Sequence, residues 1–366
     1  MNHIKKSKKP ILLLFLPIGI LLFYLSSFVP DTTERIYATG IYKPLGQYLS
    51  LATGLIPFSI AEFIIISLVL FFFGQLIKMI IKLCHPASKR KTILFGFISS
   101  IVITAGIIYF GFVMLWGLNY NRLPFSSIAN LDTRPASVEE LAQLCEYIID
   151  SANDLRPKVT ENAEGVMCLA EGKQEALRRA FEGYTEAAKV YPELGGQYGN
   201  PKGVLFSKAM SYTGISGVYF PFTSEANVNM AIPDTMIPCT AAHEMAHQRG
   251  FAREDEANYI AYLTCTMHPD VDFQYSGTLL ALIYAMNALY DYDQDKYKEL
   301  REIYHPGVTR DLREISRFWQ QYEGPVEEIS SSVNNAYLKA NKQEDGIHSY
   351  GRMIDLLIAQ QRRSSP

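Results

Sequence analysis

The spacing of two histidines and a glutamate would allow their side chains to bind a metal ion and to use it in catalysis. In residues 240–263, TAAHEMAHQRGFAREDEANYIAYL, His243 and His247 are four positions apart and Glu244 directly follows the first. Residues four apart on an α-helix lie on one face, so both imidazoles can point at one ion. Glu244 would then stand beside the open coordination position, where a carboxylate serves as general base for an activated water. The pattern therefore predicts a catalytic Zn²⁺ site.

A third ligand should come from the acidic residues that follow the motif. A catalytic zinc takes three protein ligands and keeps one position open. Gly250 can end the helix soon after the motif, because glycine adopts the left-handed conformation that closes a helix. The chain would then fold back and present one of three carboxylates, those of Glu254, Asp255 and Glu256.

We predict Glu254 as the third ligand, with Glu256 as its rival. In a helix that begins near Arg253, Glu254 shares a face with Asn258, whose side chain could hydrogen-bond a ligand histidine. Glu256 would point about 200° away from Glu254 around that helix. Only one of the two glutamates can therefore face the metal.

The segments HEMAHQRG and EDEAN together resemble gluzincin metallopeptidases, which carry H-E-x-x-H and a later helix with E-x-x-A/S-D/N. The resemblance implies that Glu254 binds zinc and that Asn258 stands where gluzincins usually have aspartate. The linker between the two segments is very short for a gluzincin. The position of Gly250 is closer to that in metzincins, but those place their third ligand where this chain has Arg253. This departure keeps Glu256 open as a ligand.

Three stretches of the chain carry a second resemblance: MSYTGISGVYFPFTSEANVN, HEMAHQRGFAREDEANYIAYL and NNAYLKANKQEDGIHSYGRMIDLL. Through them, nearly the whole chain resembles an uncharacterised bacterial family of membrane-anchored zinc metallopeptidases. The resemblance implies a zincin-like fold, a Zn²⁺ cofactor and a peptide or protein substrate, and it does not identify that substrate.

Three apolar segments near the N-terminus are long enough to cross a lipid bilayer. They span about residues 10–30, 57–77 and 92–117, and Glu62 is the only charged residue within them. Because about 20 apolar residues span the hydrocarbon core, we predict three transmembrane helices. Residues 1–120 would then form a membrane anchor.

The basic residues predict the orientation of the chain in a bacterial cytoplasmic membrane. They cluster before the first span and between the second and third spans, at Lys5, Lys6, Lys8, Lys9, Lys78, Lys82, Lys89, Arg90 and Lys91. The positive-inside rule therefore puts the N-terminus and the second loop in the cytoplasm. Three spans then leave residues 121–366 outside. The net charge of −3 gives no indication of nucleic-acid binding.

Residues 121–366 are predicted to form a mainly helical α+β domain with a small sheet. A capping box, Ser137 and Glu140, predicts the start of one helix. The stretch GVYFPFTSEANVNMAIPD is aromatic and β-branched, which favours short strands just before the metal motif. The strand around residues 225–230 could bind an extended substrate at its edge, or it could be an ordinary buried strand.

Three residues in IHSYGRM could stabilise the oxyanion of a tetrahedral intermediate: His348, Tyr350 and Arg352. Alternatively, they begin a packed C-terminal helix. The sequence as a whole predicts a membrane-bound zinc metallopeptidase that hydrolyses peptide bonds outside the cytoplasmic membrane, with Glu244 as general base. The alternative is a non-catalytic membrane protein with a structural or zinc-sensing metal site. The sequence gives no indication of the oligomeric state.

Overall fold

The computed structural model describes residues 9–85, 89–343 and 352–364. Most of these residues are helical, and one three-stranded sheet precedes the metal motif in the chain. The predicted mainly helical architecture with a small sheet is therefore confirmed. His348 and Tyr350, two of the three candidate oxyanion stabilisers, lie outside the described residues.

The first predicted span is shorter than expected and broken. It contains helix α1, Lys9–Leu12, and helix α2, Phe15–Ser26. Pro17 has no N–H to donate to the carbonyl of Leu13 and its ring crowds that carbonyl, which accounts for the break between the two helices. A bend of 106° separates α2 from the helical segment that follows. This part of the chain is therefore a candidate span only if the bent pair is taken as one unit.

The segment between the first and second spans is helical and packs against the metal motif. It comprises α3, Pro30–Thr32, a π-helical stretch, Thr33–Tyr42, and α4, Lys43–Gly54. The Tyr42 hydroxyl lies 3.3 Å from the carbonyl oxygen of His247 and 3.0 Å from that of Gln248. If the helices that follow cross a bilayer, this segment and the metal motif therefore lie on the same side of it.

Helices α5, Ile60–Cys84, and α6, Arg90–Leu115, are each long and apolar enough to cross a membrane. They agree with the spans predicted at about 57–77 and 92–117. The sheet holds the start of α5, because the first backbone N–H groups of the helix donate to the carboxylate of Glu225 at 3.1 and 2.9 Å. A carboxylate at this position stabilises a helix, since the first N–H groups have no partner within it.

Helices make up most of the chain after α6. In order they are α7, Phe125–Ile128; α8, Val138–Leu155; α9, Lys173–Arg179; α10, Phe181–Ala187; α11, Ser207–Ser211; α12, Ile237–Gln248; α13, Glu254–Thr266; α14, Val271–Tyr292; α15, Gln294–Arg301; α16, Pro306–Gln320; α17, Pro325–Ala340; and α18, Met353–Ser364. The capping box predicted at the start of α8 is present. Behind it Leu141, Leu144 and Ile148 recur at helical spacing and are buried.

The hydrophobic core surrounds the two helices that carry the metal motif. α12 packs against α13 and against the sheet, while α14 packs against α8, α12 and α13. Almost every residue of α12 and α13 is buried. Close packing on several sides fixes the positions of their side chains, as it does in any protein interior.

The sheet contains three short strands: β1, Lys202–Gly203; β2, Gly217–Phe220; and β3, Glu225–Val228. Their order is β1–β3–β2, with β1 parallel and β2 antiparallel to β3. β3 is therefore a central, fully buried strand. Of the two alternatives for the strand around residues 225–230, the ordinary buried strand is confirmed and the substrate-binding edge is wrong; β2 is the edge strand on that side.

Candidate metal centre

A tight turn after α12 brings the start of α13 back to the histidines. Gly250 has a φ of +85°, a left-handed conformation that glycine adopts without strain. The N–H of Gly250 donates to the carbonyl of His247 at 2.9 Å, and the N–H of Phe251 to that of Ala246 at 3.2 Å. These bonds close the last turn of α12. Glu254 is consequently the first residue of α13.

Three side chains predicted as metal ligands lie together. The Nε2 atoms of His243 and His247 are 3.0 Å apart. One carboxylate oxygen of Glu254 lies 3.2 Å from the Nε2 of His243 and 3.5 Å from that of His247. Two imidazole nitrogens and one carboxylate are a donor set that suits zinc.

Hydrogen bonds orient both imidazoles with their Nε2 atoms toward each other. The Nδ1 of His247 donates to the carbonyl of Phe251, and the Nδ1 of His243 to the side-chain oxygen of Asn258, each at 2.8 Å. If each Nδ1 carries the proton, each neutral ring has a lone pair on Nε2. Two lone pairs and a carboxylate at these distances repel one another unless a proton or a metal cation lies between them. The arrangement therefore fits a metal ion.

Charges within the site shift the pKa values of the acidic and basic groups in opposite directions. Burial alone disfavours charge on both Glu254 and His247. Nevertheless the imidazoles hold the pKa of Glu254 below its ordinary value, and the negative charge of Glu254 raises the pKa of His247 to about 9. The carboxylate is thus ionised and attracts positive charge to this point.

Glu244 lies beside the candidate ligands and packs tightly against β2. Its side chain is buried, and burial raises its pKa to about 7. One carboxylate oxygen, Oε2, has no hydrogen-bond partner in the part of the chain that the structure describes. On the other side of the carboxyl group, a Cβ atom at Gly217 would lie only 2.7 Å from Glu244 Cγ. The position of Glu244 therefore depends on a glycine in the edge strand.

The rival glutamate faces away from the histidines. Glu256 accepts hydrogen bonds from the backbone N–H of Phe125 at 2.9 Å and from the guanidinium of Arg253 at 2.7 Å. Asp255 lies 3.7 Å from the guanidinium of Arg352. Of the three acids after the motif, only Glu254 thus approaches both imidazoles.

Residues far from the motif hold the last turn of α12. The indole N–H of Trp116, just after α6, donates to the carbonyl of His247 at 3.1 Å. The hydroxyl of Tyr42 lies near the same carbonyl. The N–H of Gly250 also donates to this carbonyl, so the two side chains add further donors at a helix end where carbonyls lack partners within the helix.

A pocket of about 560 Å³ opens beside the candidate ligands. Glu244 and β2 form part of its wall, and aromatic residues from distant parts of the chain complete it: Phe112, Trp116, Tyr120, Tyr219, Tyr284 and Tyr337. Among the described residues β2 pairs only with β3. Its outer edge can therefore receive an extended peptide through backbone hydrogen bonds.

Two tyrosines in the pocket wall were missed by sequence reasoning. Tyr284 of α14 and Tyr337 of α17 line the pocket, and burial raises the pKa of both hydroxyls. Both hydroxyls therefore stay protonated at neutral pH and can donate. Arg352, the one candidate oxyanion stabiliser among the described residues, pairs with Asp255 and does not line this pocket. No local sequence pattern distinguishes Tyr284 and Tyr337 from the other tyrosines of the chain.

No curated protein and no solved structure matches this chain. One family model matches residues 37–358, from the π-helical stretch to α18. The match includes α5, α6, the sheet and every residue of the candidate metal centre, and it covers well over half of the chain. The chain therefore belongs to the family described as "Protein of unknown function (DUF3810)".

Proposed function

We propose that this protein is a membrane-bound zinc metallopeptidase that hydrolyses peptide bonds outside the cytoplasmic membrane. One observation carries the proposal: His243, His247 and Glu254 offer ligand atoms within 4.8 Å of one another, beside the buried carboxyl group of Glu244, in an open pocket. Zinc bound there would lower the pKa of a water molecule and polarise the scissile carbonyl.

The side chains around the metal ligands supply the remaining roles. Glu244 accepts a proton from the attacking water on its unpaired Oε2 and delivers it to the leaving amine. The hydroxyls of Tyr284 and Tyr337 can donate hydrogen bonds to the oxygen that becomes negatively charged. The free edge of β2 holds the substrate in extended form. These roles together describe acyl transfer to water.

The packing of the ligand helices supports a zincin-like fold. α12 contacts the edge strand β2 as well as β3, and α13 follows α12 after a short turn and supplies the third ligand. The connection between the two helices is only Arg249 to Arg253, which agrees with the short linker noted in the sequence.

A structural or zinc-sensing site is the second candidate function. Such a site would be fully ligated, with no open position. Asp255 and Glu256 are the nearest acids in sequence that could add a fourth ligand, and both are engaged with arginines instead. A structural zinc site also does not need a general base such as Glu244. These contacts favour the catalytic proposal.

Replacing Glu244 with glutamine tests the catalytic role. Glu244→Gln removes the proton acceptor and keeps the shape of the side chain. The purified variant should therefore retain its zinc and cleave casein or a peptide library about 10²- to 10⁴-fold more slowly than wild type. Glu256→Gln is the matched control, because it makes the same change outside the pocket and should keep activity. Fully zinc-loaded wild-type protein that cleaves no library would favour the structural or sensing site.

Zinc content tests the choice of third ligand. Glu254→Ala removes one of three ligands, and purified protein should contain much less zinc than wild type by mass spectrometry. Glu256→Gln should contain as much zinc as wild type, since Glu256 bonds Phe125 and Arg253 instead. Loss of zinc in the Glu256 variant alone would reverse the assignment.

A further inference from the structure

Two groups of exposed apolar side chains lie in segments that are tied to the ends of the two candidate spans. Leu205 and Phe206 follow β1, and Val326, Ile329 and Val333 lie at helical spacing along one face of α17. Each of these five side chains is more than half exposed, from 55% at Val326 to 66% at Ile329. We call these five residues the apolar ridge. Several large apolar side chains exposed together mark a surface that contacts a partner or a membrane.

One end of the ridge is fixed to the start of α5. The backbone N–H groups of Leu205 and Phe206 each donate to the carboxylate of Glu62 at 2.9 Å. Glu62 lies in the first turn of α5. Leu205 and Phe206 are therefore at the level where this candidate span leaves the bilayer.

The other end of the ridge is fixed near the end of α6. The ring of Tyr337 in α17 lies 6.2 Å from the ring of Phe112, one turn before α6 ends. The hydroxyl of Tyr337 is 3.1 Å from that of Tyr120. Because α5 and α6 are consecutive spans, the start of α5 and the end of α6 lie on the same side of the bilayer. Both ends of the ridge are thus at one level.

Lipid accounts for this exposed surface better than a protein partner does. The ridge is tied to the ends of the two candidate spans where apolar side chains, Phe63 near the start of α5 and Met114 near the end of α6, are also exposed. An amphipathic helix with its apolar face toward lipid lies in the interface between headgroups and acyl chains. The same level contains the pocket, because Phe112 and Trp116 line it.

We propose that the apolar ridge rests in the outer surface of the bilayer and that the site therefore acts on peptides tethered to the same membrane. The second part rests on the proposed peptidase function, while the first part does not. A substrate anchored in the membrane would be held at the level of the pocket. A peptide free in solution gains nothing from the ridge.

Depth measurements in liposomes test the position of the ridge. A fluorescent label is placed at Phe206→Cys or Ile329→Cys in full-length protein that carries Cys84→Ser and Cys168→Ser, with phosphatidylcholine liposomes containing bromolipid quenchers. We expect strong quenching at both positions. The control is Tyr292→Cys, an exposed position at the end of α14, where we expect little quenching. Equal quenching at all three positions, or none at the ridge, would overturn the proposal.

Cleavage of one peptide in two forms tests the substrate class. The double variant Ile329→Glu, Val333→Glu should cleave an acylated peptide on liposomes about 10-fold more slowly than wild type does, and cleave the same peptide without its acyl chain at the wild-type rate. Equal rates on the acylated peptide would overturn this part. If wild-type protein cleaves neither form, the peptidase function fails, and the quenching result still decides where the ridge lies.

Discussion

At Gly217 the backbone of the edge strand passes so close to Glu244 that there is no room for a side chain. We expect Gly217→Ala to displace the carboxyl group of Glu244, since the new methyl group would stand 2.7 Å from its Cγ. A small displacement of a catalytic group can reduce the rate by about 10²-fold. Peptide cleavage and zinc content, measured on the same purified protein, should show lost activity with bound zinc unchanged.

A second glycine provides the control for this substitution. Gly74 lies in α5, and a Cβ atom there would meet no atom within 4 Å. Gly74→Ala should therefore leave both activity and zinc content at their wild-type values. Full activity in the Gly217 variant would show that Glu244 tolerates displacement, which is incompatible with its role as a positioned base.

The sequence was sufficient to predict which residues come together in the candidate metal centre, because those residues are close in the chain. The helical period alone brings His243 and His247 to one face, and a turn at Gly250 returns Glu254 to them. Tyr284 and Tyr337 reach the pocket from helices far along the chain. Their positions depend on how α14 and α17 pack, which no local spacing encodes.

At the scale of elements, the turn between α12 and α13 decides whether the third ligand meets the first two. Gly250→Ala would add backbone strain at a φ of +85° and a Cβ atom 2.8 Å from the ring of Tyr42. We expect a loss of about 1–3 kcal/mol in the free energy of unfolding, with weaker zinc binding. Thermal denaturation and zinc titration of purified protein would measure both.

Gly172 separates backbone strain from the clash with Tyr42. Its φ is +81°, and a Cβ atom there would meet nothing within 4 Å. Gly172→Ala should therefore show the cost of strain alone and keep normal zinc affinity. If the two variants lose equal stability and both bind zinc normally, the close contact between Gly250 and Tyr42 has no role in the site.

Elements that depend on distant pairing were the ones that the sequence did not predict. The sequence left open whether the strand around 225–230 offers an edge or is buried, and the structure decides it, because β1 pairs with β3 and makes it central. β1 has only two residues, so it has no alternating pattern to detect. The break before Pro17, by contrast, has a local cause, and attention to the proline would have shortened the first span.

At the scale of the whole molecule, the contacts of the segment 30–54 predict the topology. This segment packs on α12, so both should lie outside, while Cys84 at the end of α5 should lie inside. Tyr48 is 75% exposed on α4. Two variants test this in right-side-out vesicles with a membrane-impermeant maleimide. The reagent should label the triple variant Tyr48→Cys, Cys84→Ser, Cys168→Ser at position 48. It should not label Cys84 in the single variant Cys168→Ser.

Inverted vesicles provide the reciprocal measurement. The same reagent should then label Cys84 and spare the cysteine at position 48. Labelling of both positions from one side would contradict the crossing by α5. Labelling with the two sides exchanged would place the metal centre in the cytoplasm and remove the proposal of an outward-facing peptidase.

The hydrogen bond from Trp116 to the carbonyl of His247 affects how the protein can be handled. Trp116 and Tyr42 both precede residue 121, the point at which the sequence alone would separate an anchor from a catalytic domain. A polypeptide that begins at residue 121 would lack the hydrogen bonds that Trp116 and Tyr42 donate to the last turn of α12. That turn would then be less stable. The segment before residue 121 is thus part of the structure that holds the candidate metal centre, and assays of the proposed activity should use the full-length protein.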